Sequence, residues 1–256
     1  LMTRRMELTA PESFPLVQPG DDLTPLILTA LHDSDVHFTD GDVLVLAQKI
    51  VSKAEGRFVE LGSVQPEAEA FELALKTGKD PRLLELVLQE SERVLRVRSG
   101  VIIVRHRLGF VCANAGIDHS NVSGPGPGDW VLLLPQDPDG SAAGLRAAIQ
   151  RETGASIAVL IIDSHGRAWR CGTVGISIGM AGLSGLLDLR GKPDLFGETL
   201  QITRVGLADE LAAAASLMMG QADEGAPVVH VRGFPYPLGE GSLADLLRPE
   251  EEDLFL

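Results

Sequence analysis

Apolar residues recur along this chain at two spacings, and the change between them marks out its elements. Leu23, Leu26, Ile27 and Leu31, behind Asp21-Asp22, form one apolar face at helical spacing with an aspartate placed to cap it. The short apolar run 42–46 behind Asp40-Gly41 predicts a buried strand after a turn. Segments 66–76 and 81–89 predict helices, the second with Leu83, Leu84, Val87 and Leu88 on one side. Strands are expected at 94–104 and 110–113, around a polar turn at His106-Arg107-Leu108-Gly109, and again at 130–134. An amphipathic helix at 141–153 stops at Gly154. The run 157–162 is almost purely aliphatic, the pattern of a strand buried on both faces. A glycine-spaced strand at 174–180, an Ala-rich helix at 208–219 closed by Gly220, a strand at 227–231 and a short helix at 243–247 complete the pattern.

Helices and strands alternate irregularly and several strands are consecutive. This predicts an α+β fold with mixed, largely antiparallel sheets and flanking helices, rather than a doubly wound parallel sheet. No domain boundary interrupts residues 1–247, and 248–256 reads as an exposed acidic tail. With 45% hydrophobic but only 4% aromatic residues, the core must be mainly aliphatic. Net charge is −14, which argues against nucleic-acid or anionic-membrane binding and leaves room for a small phosphorylated ligand held by local cations or metal ions. Two cysteines, Cys112 and Cys171, build neither a disulfide framework nor a zinc motif; with no leader-like run near the start, a cytoplasmic location is expected.

The usual nucleotide signatures are missing: no phosphate-binding loop of the G-x-x-x-x-G-K-[ST] type is present, and Gly124, Gly126 and Gly128 alternate with prolines. Gly175, Gly179, Gly182 and Gly185 read as sites of close backbone packing. Three polar segments remain. Gln48, Lys49, Lys53 and Arg57 follow the 42–46 strand, suited to a phosphate or to a solvated charged turn. Asn114 to Asn121, with Asp118, offers hard oxygen ligands, although Asn and Asp are also ordinary turn formers. Asp163-Ser164-His165-Gly166-Arg167 follows the 157–162 strand, where a carboxylate and hydroxyl at a rigid strand mouth suit a metal and Arg167 and Arg170 suit an anion. Cys112, His119 and His165 do not form a persuasive nucleophile–base set, and Cys112 reads as packing.

Taken in order, AQKIVSKAEGR at 47–57, GFVCANAGIDHSNV at 109–122, IIDSHGRAWRCGTVGISIGMAG at 161–182, DLRGKPDLFGETL at 188–200 and ADELAAAASLMMGQ at 208–221 resemble the coenzyme F420-0:L-glutamate ligase family, the F420 gamma-glutamyl ligases. The resemblance spans roughly residues 12–247. It implies a GTP-dependent ligase that joins L-glutamate to coenzyme F420-0 through an acyl phosphate, in F420 biosynthesis. It also implies two Mg²⁺ or Mn²⁺ sites, with K⁺ as a further candidate cation, and an intertwined homodimer. It assigns Asp118 and Asp163 to one metal, and Ser164 and Gln221 to the second. GTP falls to Phe14, Pro15, Leu16, Val17, Gln48, Lys49, Lys53 and Asn121, and to Ser216, Leu217, Met218, Met219, Gly220, Gln221, Ala222 and Asp223. Lys53, Asp118 and Asp163 are the expected catalytic set. This chain departs from the family's usual residues at 14–15, 48 and 165, the last commonly Phe. In bifunctional actinobacterial members a flavin-binding domain follows the ligase domain, and RPEEEDLFL at 248–256 resembles that junction. The competing readings are a metal-dependent GTP phosphohydrolase and a non-catalytic GTP-sensing module.

Overall fold

The computed structural model of the chain describes residues 4–253. Its strands are β1 (Glu7–Thr9), β2 (Val43–Ala47), β3 (Phe58–Glu60), β4 (Ser91–Arg98), β5 (Val101–His106), β6 (Val111–Ala113), β7 (Trp130–Leu132), β8 (Ala158–Arg167), β9 (Arg170–Ala181), β10 (Leu186–Asp188), β11 (Arg204–Gly206) and β12 (Val228–Arg232). Its α-helices are α1 (Leu23–Asp33), α2 (Gln48–Ala54), α3 (Ala68–Thr77), α4 (Pro81–Gln89), α5 (Pro138–Thr153) and α6 (Leu207–Met219). The fold is α+β, as expected. The main sheet runs β1-β12-β2-β8-β9, and all its neighbours are antiparallel except β2 and β8. A second sheet, β4-β5-β6, is antiparallel throughout, and β3–β7 and β10–β11 are separate antiparallel pairs.

The aliphatic runs form the two central strands because both their faces find helices. On one face Leu44, Leu46, Val159 and Ile161 share a core with Ile27 and Leu31 of α1 and Ile149 of α5. On the other, Val43, Val45, Leu160 and Ile162 meet Ala208, Leu211, Ala212, Ala215 and Met219 of α6. The period-two alternation of a strand sorts the residues into these two cores. Small residues let the helices approach closely. A Cβ on Gly175 would stand 2.6 Å from the Ala212 carbonyl oxygen, and one on Gly179 would stand 2.4 Å from Pro138.

Four expectations need correction. The segment expected as a single strand over 94–104 is two strands folded back on each other, turning at Gly100, whose φ of +83° favours glycine. The cationic segment after β2 is not a turn but the helix α2, which buries Ile50 and Val51 while Lys49 and Lys53 stay partly accessible. The strand expected to end at 162 does not end there: β8 continues through Asp163 and pairs with β9 down to Arg167–Arg170. The short helix expected at 243–247 is a 3₁₀ turn, Leu243–Leu246. Of the acidic segment expected at 248–256, residues 248–252 are exposed and 254–256 lie outside the described residues; Glu250 is tied to Arg93 at 2.7 Å and Arg105 at 2.9 Å. Among the described residues no helix is long and apolar enough to cross a membrane.

Candidate active site

The cleft opens where β2 ends at Ala47 and its parallel neighbour β8 runs on past Ile162 without it. It has a volume of about 810 Å³. Segment 14–17, the start of α2, segment 112–123, the continuation of β8 and segment 216–227 line it. Parallel pairing delivers the residues beyond the paired stretch of both strands to the same side, which is why two polar segments far apart in sequence converge here.

Helix α2 begins at once after β2, so its first turns face the cleft. Gln48 is buried; its Nε2 donates to Asp118 Oδ2 at 2.6 Å and its Oε1 accepts from Ser52 Oγ at 2.9 Å. Lys49 Nζ lies 3.3 Å from Asp118 Oδ1, and Lys53 Nζ donates to the Asn121 carbonyl oxygen at 3.0 Å. Burial, helped by the neighbouring Lys49 charge, lowers the Lys53 pKa against the pull of Asp118. Asp118 is held by its backbone as well: its N–H and C=O exchange hydrogen bonds with Leu132 at 2.9 Å each. The chain reaches it through Asn114, Ala115 and Gly116, three consecutive residues at positive φ. Two of these carry a Cβ, a conformation that costs on the order of 1 kcal/mol per residue and is retained where the surroundings dictate it.

Asp163 stands on the opposite wall, and its Oδ2 accepts from His165 Nε2 at 2.9 Å. Burial pushes the Asp118 pKa up to about 6, Lys49 opposes this, and the Asp163 charge adds to it. Burial also pushes the Cys112 thiol up to about 12, with Asp163 adding, so the packing reading of this cysteine stands. Ser164, one residue on, projects to the α6 side of β8, where its Oγ donates to Gln221 Oε1 at 2.8 Å. Gln221 Nε2 donates to Ser216 Oγ at 3.1 Å. Gly220, with φ of +71°, turns the chain out of α6 so that Gln221 faces the strand. A bond from Asn121 Nδ2 to the Ala222 carbonyl oxygen, 2.9 Å, ties the two loops across the cleft.

Phe14 to Val17, Gln48, Lys49, Lys53, Asp118, Asn121, Asp163, Ser164, Ser216, Met219, Gly220, Gln221, Ala222 and Asp223 all line this one cleft. Leu217 and Met218 do not; they lie on the outer face of α6, exposed at 86% and 43%. Arg167 and Arg170 sit beside the β8–β9 hairpin tip, away from the cleft lining. Two contacts of side chains were not foreseen: Gln48 on Asp118 and His165 on Asp163. Had the strand been extended to 167, its i, i+2 alternation would have put Asp163 and His165 on one face.

Among the described residues no group of three or more His, Cys, Asp or Glu side chains gathers as a metal cage. The cleft instead combines a carboxylate pair, two lysines and neutral amide and hydroxyl oxygens, the equipment of a polar-chemistry enzyme working on a bound anionic substrate. Comparison with known proteins makes that class specific. The family model described as F420-0:Gamma-glutamyl ligase matches residues 12–233. The chain is 48% identical to the coenzyme F420:L-glutamate ligase of Methanothermobacter thermautotrophicus over 252 residues, 98% of each chain. It is 42% identical to the protein of that name from Methanocaldococcus jannaschii, over 98% of this chain and 97% of the other. With that of Archaeoglobus fulgidus the identity is 44%, over 98% and 96%. The chain belongs to the F420-0:gamma-glutamyl ligase family and is an enzyme of the ligase class.

Proposed function

We propose that this chain joins L-glutamate to coenzyme F420-0 in F420 biosynthesis, with GTP as co-substrate and two Mg²⁺ or Mn²⁺ ions. The observation that carries the reading is the convergence of Asp118, Asp163, Lys49 and Lys53 on one cleft, inside a full-length family match. A carboxylate is a poor electrophile. In the proposed sequence an F420-0 carboxylate oxygen attacks the γ-phosphorus of GTP, GDP leaves, and an acyl phosphate results. The glutamate amine then attacks the acyl carbon, phosphate leaves, and the amine gives up a proton as the amide forms.

The donor set fits divalent metal. Asp118 and Asp163 are hard oxygen ligands, and the Asp163 charge adds to the cost of ionising Asp118, a cost that a cation relieves. Mg²⁺ and Mn²⁺ accept a site with few protein oxygens because phosphate and water complete the shell. Ser164 Oγ and Gln221 Oε1, hydrogen-bonded to each other at 2.8 Å, are the two neutral oxygens that would hold the second ion. When bound, the ions neutralise phosphate charge and align the transfer. Lys49 and Lys53 hold phosphate oxygens as the charge moves. Phe14 to Val17 and the 219–223 loop flank the nucleotide, and Gln48 keeps Asp118 aimed. K⁺ is a further candidate cation, with no donor group of its own singled out.

A homodimer belongs to the same reading, supported by Leu195, Phe196 and Ile202, exposed at 98%, 92% and 88% on one connecting segment. Sedimentation at micromolar concentration checks it, a monomer throughout being the contrary result. For the reaction, the purified chain is incubated with F420-0, glutamate, GTP and Mn²⁺, and products are read by mass spectrometry. One added glutamyl unit, dependent on both acceptors, is expected. GTP turnover without that product would make the chain a phosphohydrolase, and no turnover would make it a sensing module.

A further inference from the structure

We infer that His165 is the positioning residue for Asp163: its imidazole N–H fixes one carboxylate oxygen so that the other is presented to a divalent cation. The inference rests on the metal reading above and assigns it a residue beyond the donor set. Asp163 and His165 are two apart on β8 and share a face, while Ser164 between them points to α6. The contact is 2.9 Å, from Nε2 to Oδ2, and because the partner is a carboxylate, Nε2 carries the proton.

The ring is locked. His165 is buried with its centroid 5.2 Å from that of Phe110, and Phe110 is stacked on His106 at 5.2 Å and 7°. His106 is itself anchored, its Nδ1 accepting from the Leu108 N–H at 3.0 Å. This column leaves the His165 ring no freedom to swing away from Asp163. Packing alone does not account for an imidazole here. Its Nδ1 is buried and has no hydrogen-bond partner among the described residues, which an apolar ring would avoid. The one polar contact that justifies the histidine is the one to Asp163. The opposite wall repeats the arrangement, with Gln48 Nε2 on Asp118 Oδ2. Each cleft carboxylate therefore has one oxygen held by a buried N–H donor, the device by which outer partners orient metal ligands.

The test titrates Mn²⁺ alone into the full chain and reads free Mn²⁺ by electron paramagnetic resonance, with thermal melting as the folding control. Wild type is compared with His165→Phe, which keeps the ring and loses the donor, and with His165→Gln, whose Nε2 reaches the same place. The expected result is a Mn²⁺ Kd raised at least about tenfold in His165→Phe and held within about threefold in His165→Gln. Equal affinity in wild type and His165→Phe overturns the inference and leaves the metal reading intact, and so does equal weakening by Phe and Gln. A wild type that binds no Mn²⁺ overturns the metal reading itself, and this inference with it. If His165→Phe does not fold, His165→Met supplies the donorless comparison.

Discussion

Asp118 shows how much a single carboxylate is asked to do in this cleft. It is buried, faces Asp163, and accepts from both Gln48 and Lys49. Charge held in such a place opposes folding, so Asp118→Asn is expected to abolish glutamyl transfer and to raise Tm by about 2–4 °C, roughly 1 kcal/mol for a chain of this size. Mass-spectrometric assay and calorimetry on one preparation check both halves; an active variant at limiting metal removes Asp118 from the metal set. Asp163→Asn is expected to be equally inactive and folded. If the proposed function holds, Lys53→Ala loses a charge-assisted phosphate contact worth about 1.5–3 kcal/mol, so kcat/KM for GTP should fall between about 10- and 150-fold. The same value in variant and wild type would return Lys53 to bracing the Asn121 carbonyl. Gln221→Ala is expected to raise the metal concentration needed for turnover, with rescue by excess Mn²⁺; identical metal dependence would take Gln221 out of the site.

At the scale of elements, α6 sits against β9 only because Gly175 has no side chain. Gly175→Ala sets a methyl 2.6 Å from both the Ala212 carbonyl oxygen and the Ser216 Cβ, so the helix has to move. Overpacking of this kind costs about 1–3 kcal/mol. The same shift displaces Ser216 and, with it, the Gln221 that it holds. A lower denaturation midpoint together with a higher metal concentration needed for turnover is expected. A variant with wild-type stability would mean that α6 gives way without strain. Little of this was legible beforehand. The glycine spacing announced close packing, but which helix would come close is a matter of long-range topology, outside the reach of local pattern.

Across the whole molecule, the end of the main sheet away from the cleft is closed by buried Asp42 and His230 together with the exposed Arg232. Asp42, just before β2, accepts from His230 Nε2 at 2.8 Å, from Arg232 at 2.9 Å and from the Thr39 N–H at 2.8 Å. Burial works to raise its pKa, but the bonds from Arg232, His230 and Thr39 outweigh it and the net shift is downward from 3.8. A carboxyl lowered by folding stabilises the native state above its unfolded pKa, and that contribution is lost as pH falls below about 3.8 through the native value. Asp42→Asn is therefore expected to cost about 1.5–3 kcal/mol near neutral pH, through the hydrogen bonds to a charged carboxylate that it loses. Denaturant melts should show the gap between variant and wild type narrowing as pH drops through this range. A gap independent of pH down to 3 would assign the cost to packing instead.

Periodicity alone was enough for the aliphatic strands at 43–47 and 158–162, the helices α1, α4, α5 and α6, and the α+β class, because side-chain alternation and capping are local. The ordered motifs then carried the family. Local pattern did not reach the helix α2, whose lysines looked like a solvated turn until Ile50 and Val51 were seen to have a core to enter. Nor did it reach the continuation of β8 through Asp163, where polar residues form a strand because β9 is there to pair with them. Above all, Gln48 and Asp118 are 70 residues apart and Ser164 and Gln221 are 57 apart. Their contacts exist because β2 and β8 run parallel, with α2 following β2 on the side where β8 continues, and because Leu132 of β7 holds Asp118 there; strand order is settled by which apolar faces can be buried at once, a property of the whole chain.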